Sequence, residues 1–306
     1  MKQFRFLSLS FLLMTVLLAG CNITKTSQVD PKQNSDTKIQ NVMKKSLDAW
    51  DNSSKNQIFA WTTKDDQVYP SQEGTYKVLK TGEALEEKYD KSHIHATSSN
   101  KSGYAIDQTP SNLKQGESWD QWKAGENTTY SKFIDPSSDD SEFEGKWMKQ
   151  DQYTGELYVP SLPVDYLNAI KDSKSTKGVT ITETSDAYKI VAKPEFYASL
   201  PNFLQNVGKK MKFQVYPKAV IHSVNFGNGT MMDYNAQKVK VKSVDCSIVI
   251  NKKTLLIQEA DFHVKLELGL TFGKSPTSDQ VITLKKKGEL HTPFQVPANV
   301  IKAAGK

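Results

Sequence analysis

The stretch Leu256-Ile257-Gln258-Glu259-Ala260-Asp261-Phe262-His263-Val264-Lys265-Leu266-Glu267-Leu268-Gly269-Leu270 alternates along its length. Leu256, Ala260, Phe262, Val264, Leu266, Leu268 and Leu270 hold the even positions, and Glu259, Asp261, His263, Lys265 and Glu267 the odd ones. A period of two sends successive side chains to opposite faces, so this is a strand with one dry and one wet face. Just upstream, Val239 and Val241 alternate with lysines. The phase flips near Ser243, and Val244, Cys246, Ile248 and Ile250 continue on the other parity. One extra residue in a β-bulge accounts for such a flip. Asn251-Lys252-Lys253-Thr254 is the turn between the two strands, and 281–291 supplies a further strand before Phe294-Gln295-Val296-Pro297 and a short helix over 298–303.

Toward the N-terminus the pattern stays mixed. A hairpin is expected with strands 179–183 and 188–193 about Ser185-Asp186. Pro163 opens a helix through Val164, Leu167 and Ile170. A second helix, 195–210, carries Phe196, Leu200, Phe203, Leu204 and Val207 and must kink or restart at Pro201. Residues 80–150 are polar and read as hairpins, with strands at 128–133 and 145–149 around an acidic loop. Strands at 58–61 and 75–79 flank a turn near Pro70 and Gly74. Before them Ile39, Val42, Met43, Leu47 and Trp50 fall on one stripe of a helix capped by Ser35 or Asp36. Runs of strands with a few amphipathic helices give an α+β antiparallel class.

The first twenty residues divide as an export signal does: Lys2 and Arg5, an apolar run from Phe6 to Ala19, then Leu18-Ala19-Gly20 before Cys21. About fourteen apolar residues fall short of the roughly 20 that a membrane-spanning helix needs. Leu18-Ala19-Gly20-Cys21 resembles the lipobox of bacterial lipoproteins, which implies cleavage after Gly20, a lipid on Cys21 and residence on the outer face of the cell membrane. The expected division is a signal peptide at 1–20, a lipidated flexible tether at 21–36 and a single domain at 37–306. Loss of Lys2 and Arg5 lowers the net charge from +6 to +4 and removes the only arginine. Nucleic-acid partners, which favour the planar guanidinium, are therefore not expected. With Cys21 acylated no disulfide can form, and Cys246 reads as a small buried hydrophobe.

Ser247-Ile248-Val249-Ile250-Asn251-Lys252-Lys253-Thr254-Leu255-Leu256-Ile257, the two amphipathic strands and Phe294-Gln295-Val296-Pro297-Ala298-Asn299-Val300 together resemble Gram-positive lipoproteins of a domain-of-unknown-function family whose fold is similar to LolA, LppX and LprG. Thr129-Tyr130 with Gly145-Lys146-Trp147-Met148-Lys149 looks like the same family's central hairpin. The resemblance implies a curved antiparallel β-sheet, a half-open barrel, with helices on its concave face around an apolar space that takes a lipid or other amphiphile. Val244, Ile248, Ile250, Leu256, Phe262, Val264, Leu266 and Leu268 are the residues expected to face such a ligand or to pack as core. The alternative is a surface interaction or adhesion lipoprotein with a filled core, meeting a cell-surface protein.

No sequence motif names a catalytic residue: Gly-x-Ser-x-Gly, His-Glu-x-x-His and the glycine-rich phosphate loops are all missing. The chain is expected to be non-catalytic, without cofactor or metal. His93-Ile94-His95 places two imidazoles on one strand face, yet its neighbours offer no third ligand. Asp135, Ser137, Asp139 and Glu142 suggest a calcium loop, but Asp140 stands where that loop needs glycine and Lys146 where it needs glutamate. Trp119, Trp122 and Tyr130 form either an exposed contact surface or a cluster under a loop.

Overall fold

The computed structural model describes residues 31–52, 55–70, 74–136, 144–152, 157–208, 222–225, 231–270 and 275–305, with side chains at all of these except 31–34, 222–225, 231–239 and 268–270. The chain divides after Lys38, and of the first unit, Met1–Lys38, only helical residues 31–38 are described. The expected signal, Leu18, Ala19, Gly20 and Cys21 lie outside the described residues.

Helix α1 (Pro31–Asn52) leads into a meander of strands β1 (Gln57–Pro70), β2 (Thr75–Lys88), β3 (His93–Ile106), β4 (Lys114–Ala124), β5 (Thr129–Ile134) and β6 (Trp147–Gln150). Helix α2 (Val164–Asp172) and the hairpin β7 (Val179–Glu183) and β8 (Ala187–Ala192) follow, then α3 (Pro194–Ser199) and α4 (203–208). Strands β9 (His222–Asn225), β10 (Met231–Asn251), β11 (Ile257–Leu270) and β12 (Thr277–Glu289) and helix α5 (Ala298–Ala304) complete the chain. All twelve strands join one antiparallel sheet in the order β6-β5-β4-β3-β2-β1-β12-β11-β10-β8-β7, with β9 on β10. The path does not close. Its centre is the pairing of the first strand with the last, Trp61 opposite Leu284.

Local chemistry accounts for most element ends. Pro31, whose fixed φ suits a first helical turn, starts α1 ahead of the cap expected at Ser35 or Asp36, so residues 31–36 are helical rather than flexible tether. Helices α3 and α4 are separated at Leu200-Pro201-Asn202, the restart that Pro201 demands. The pairing of β10 with β11 shifts between Val241 and Ser243, the bulge required by the flip in hydrophobic phase. Asn251 Oδ1 accepts the Lys253 and Thr254 amides at 3.0 and 2.9 Å and so closes the next turn.

Register explains where the core sits. One row runs from β7 to β5 on one face: Ile181, Ile190, Ile248, Ala260, Leu284, Trp61, Ala84, Ser98, Trp119, Phe133. The adjacent row runs Val179, Ala192, Cys246, Phe262, Ile282, Thr63, Gly82, Asn100. Both rows change character at the seam between β12 and β1, from aliphatic to small, polar or aromatic. Helices lie on this face. Trp50 of α1 meets Phe59 at 5.0 Å between ring centres, Tyr166 of α2 meets Phe262 at 6.1 Å, and Tyr197 of α3 lies 3.2 Å from Cys246. The opposite face carries the C-terminal segment, where Phe294 packs on Tyr89, His93 and Trp122.

Candidate functional site

The helix-covered half of the sheet is filled. Val244, Ile248, Ile250 and Phe262 have no surface that water can reach, and Val264 and Leu266 are buried with them. Tyr166, Leu167, Ile170, Phe196 and Tyr197 occupy the space that a ligand would need beside these strands. Of the residues expected to face a ligand, Val244, Ile248, Ile250, Phe262, Val264 and Leu266 are therefore packed core; Leu256 is buried outside that cluster, because a shift in register sets Ile257 opposite Ile250 in its place, and the side chain of Leu268 lies outside the described ones. The physical reason is that α2 and α3 set large side chains on these strands, Tyr166 against Phe262 of β11 and Tyr197 against Cys246 of β10. Cys246 shares this interior: burial raises its thiol to about 11, a range that leaves almost no thiolate. In the folded protein Cys246 is expected to resist a thiol reagent that modifies it fully after denaturation; rapid modification of the native chain would contradict the packing.

Across the seam, the same face forms a cleft of about 360 Å³. Its floor is Thr63, Gly82, Ala84, Ser98 and Asn100 of β1–β3, and its far wall is Glu117 and Trp119 of β4. Segment 157–160 roofs it. The Tyr158 amide donates to Gln121 Oε1 at 2.6 Å, and the Tyr158 ring stacks on Trp119 at 3.6 Å and 6°. Phe133 supports Trp119 from β5 at 4.3 Å. Tyr158 nevertheless keeps 51% of its surface exposed, so its outer ring face is open. Gly82 leaves a gap in the floor, because a Cβ there would come within 2.5 Å of Thr63 Oγ1.

The surroundings of the cleft are polar where the other half is greasy. Asp65 accepts from Ser278 Oγ at 2.6 Å and from Gln67 Nε2 at 2.6 Å, while the Tyr69 hydroxyl donates to Gln67 at 2.8 Å. Deeper in, Trp61 Nε1 donates to Glu86 at 3.3 Å, and burial pushes the Glu86 carboxyl upward despite Lys88 and that hydrogen bond.

The histidine pair sits on the other face and is not brought into one site. His93 Nδ1 meets Asp90 Oδ2 at 2.8 Å. His95 is held between two carboxylates, Nδ1 to Glu87 at 2.8 Å and Nε2 to Asp120 at 3.0 Å, and stacks on Trp122 at 3.8 Å. Among the described residues no three His, Cys, Asp or Glu side chains group as metal ligands. Ser137, Asp139 and Glu142 of the acidic loop lie outside those residues. Burial lowers the His95 pKa, but hydrogen bonds to Asp120 and Glu87, with their charges, outweigh it and the net shift is upward. A raised histidine pKa stabilises the fold fully below the unfolded value of about 6.5 and loses that contribution as pH climbs through the folded value. His95→Gln is expected to cost about 1–3 kcal/mol near pH 6 and less near pH 9, read by thermal unfolding. A cost that does not vary with pH would contradict the imidazolium bridge.

Trp119 and Trp122 thus serve different ends: Trp119 is clustered under a loop, and Trp122 backs the His95 bridge. Tyr158 was not legible as a site residue, since its only local signal is an aromatic ring between Leu157 and Val159.

No family model matches this sequence, and no curated protein matches it either. Solved structures do. Lipovitellin, solved for its lipid–protein interactions, matches with 8% identity over 80% of this chain and a TM-score of 0.32; the chain spans about a quarter of that protein, 26%. Rv2717c from M. tuberculosis matches with 9% identity over 79% of this chain and 98% of its own, TM-score 0.20. The β-barrel-like protein of domain of unknown function DUF1849 from Brucella abortus matches with 9% identity over 77% of this chain and 100% of its own, TM-score 0.24.

Proposed function

We propose that this chain is a non-catalytic, lipid-anchored binding protein of the extracytoplasmic membrane face, and that it holds an amphiphile in the cleft beneath segment 157–160. In this reading Leu18-Ala19-Gly20 directs cleavage, Cys21 carries the anchor, and the sheet bends round its helices as in LolA-like carriers. The observation that carries the ligand reading is the cleft itself. Its volume of about 360 Å³ falls within the usual span of small-ligand sites, roughly 300–1,000 Å³. Leu157, Val159 and Ala84 give it an apolar side, and Thr63, Ser98 and Asn100 a polar one. That boundary suits a molecule with two characters better than a bare hydrocarbon.

Two experiments test the reading. Lipid extraction and mass spectrometry of the chain expressed without residues 1–21 should return a bound amphiphile in near-equal amount; repeated recovery of empty protein would favour the interaction reading, which the filled core also suits. Cys21→Ser should release the protein from the membrane into the medium, and retention on the membrane would overturn the anchor.

A further inference from the structure

We infer that the end of the ligand held at the Trp119–Tyr158 pair is a cationic, ammonium-type group; this rests on the amphiphile reading of the cleft. The lining has a one-sided charge. Glu117 stands on the wall beside Trp119, and among the described residues no lysine contributes to the lining, although the chain has 40 basic residues. An anionic head would face the Glu117 carboxylate with only the uncharged Thr63, Ser98 and Asn100 side chains to meet it. An uncharged head would gain nothing from the exposed Glu117 carboxylate, which water solvates. A cation satisfies both Glu117 and the aromatic surface, because the faces of tyrosine and tryptophan rings carry negative potential.

The geometry prepares that surface. Tyr158 and Trp119 are parallel within 6°, the Tyr158 backbone is fixed by Gln121, and Gln121 is itself 2% exposed. Little conformational freedom is lost when a ligand covers a platform already held in place. The open ring face of Tyr158 and the exposed Glu117 lie at the mouth of the cleft, where a charged group keeps part of its water. The anchoring proposed above adds a reason for this choice. A protein tethered to a bilayer meets anionic headgroups at high local concentration, and a lysine-lined site would fill with them. An acidic, aromatic mouth rejects that background and selects the rarer cation, which is specificity by repulsion as well as by contact.

The test uses the full chain held in nanodiscs of phosphatidylglycerol, whose headgroup carries no ammonium, with empty nanodiscs as the blank and tryptophan fluorescence as the readout. Butyltrimethylammonium, butyl glucoside and butyl sulfate share one short tail and differ only in the head. Butyltrimethylammonium should bind at least tenfold more tightly than either of the others. Glu117→Gln and Tyr158→Ala should each weaken it by about tenfold, the scale of a partly desolvated cation–aromatic contact. Equal or tighter binding of the glucoside or the sulfate would overturn the ammonium assignment and leave the amphiphile reading standing. Binding of none of the three, with an amphiphile still recovered by extraction, would overturn the assignment alone. No binding and an empty extract would overturn both.

Discussion

Phe262→Ala is expected to destabilise the fold by about 3–5 kcal/mol, a fall in melting temperature of roughly 10 °C. The ring lies in the row that joins Cys246 to Ile282, has no water-accessible surface, and is met by Tyr166 from α2. Truncation leaves a void in the centre of a close-packed interior, and the surrounding aromatic rings cannot all move to fill it. The size of the loss discriminates between two accounts of the same strand. A side chain bordering an open ligand space would lose few contacts, and a cost below about 1 kcal/mol by denaturant titration would mean that such a space exists beside β11. Ligand binding by the variant, measured well below its melting temperature, should stay close to that of the unaltered chain, because Phe262 lies across the seam from the cleft.

Trp119→Ala is expected to do the reverse. Trp119 carries the stack with Tyr158 and the contact with Phe133, so its loss removes the far wall of the cleft and the support of the roof. Large aromatic residues at the centre of a binding surface commonly contribute about 2 kcal/mol or more, which is about a thirtyfold loss of affinity. Trp119 is only half-buried, so the stability cost should be smaller than at Phe262. A variant that melts lower yet binds as before would show that the stack is structural and that the ligand lies elsewhere.

The contrast between these two residues also marks what could be read from the sequence. Phe262 belongs to a strand whose alternation is visible without any structure, because from Glu259 to Leu268 one face is apolar and the other polar or charged. The flip at Ser243, the hairpin about Ser185-Asp186 and the restart at Pro201 are equally local. Strands β2 to β4 are harder to read. Residues 97–103 are polar on both faces, so their alternation carries no signal, and β3 is far longer than its sequence suggests. The cleft depends on register between strands distant in sequence. Thr63, Gly82 and Asn100 become neighbours only when β1, β2 and β3 are paired, and Tyr158 reaches Trp119 across 39 positions of chain. The resemblance to lipid carriers implies an apolar space under the helices. Side-chain volume decides that point, and the summed bulk of Tyr166, Phe196 and Tyr197 against β8, β10 and β11 is not a periodic property of any one segment.

In the proposed reading ligand enters on the polar side of the seam between β12 and β1, and not under the helices. An alkylammonium probe carrying a photoactivated diazirine, cross-linked to the protein and located by peptide mass spectrometry, tests it directly. Adducts are expected on 157–160, Trp119 and the β1–β3 floor; adducts concentrated on α2, α3 and the strand that contains Phe262 would contradict it.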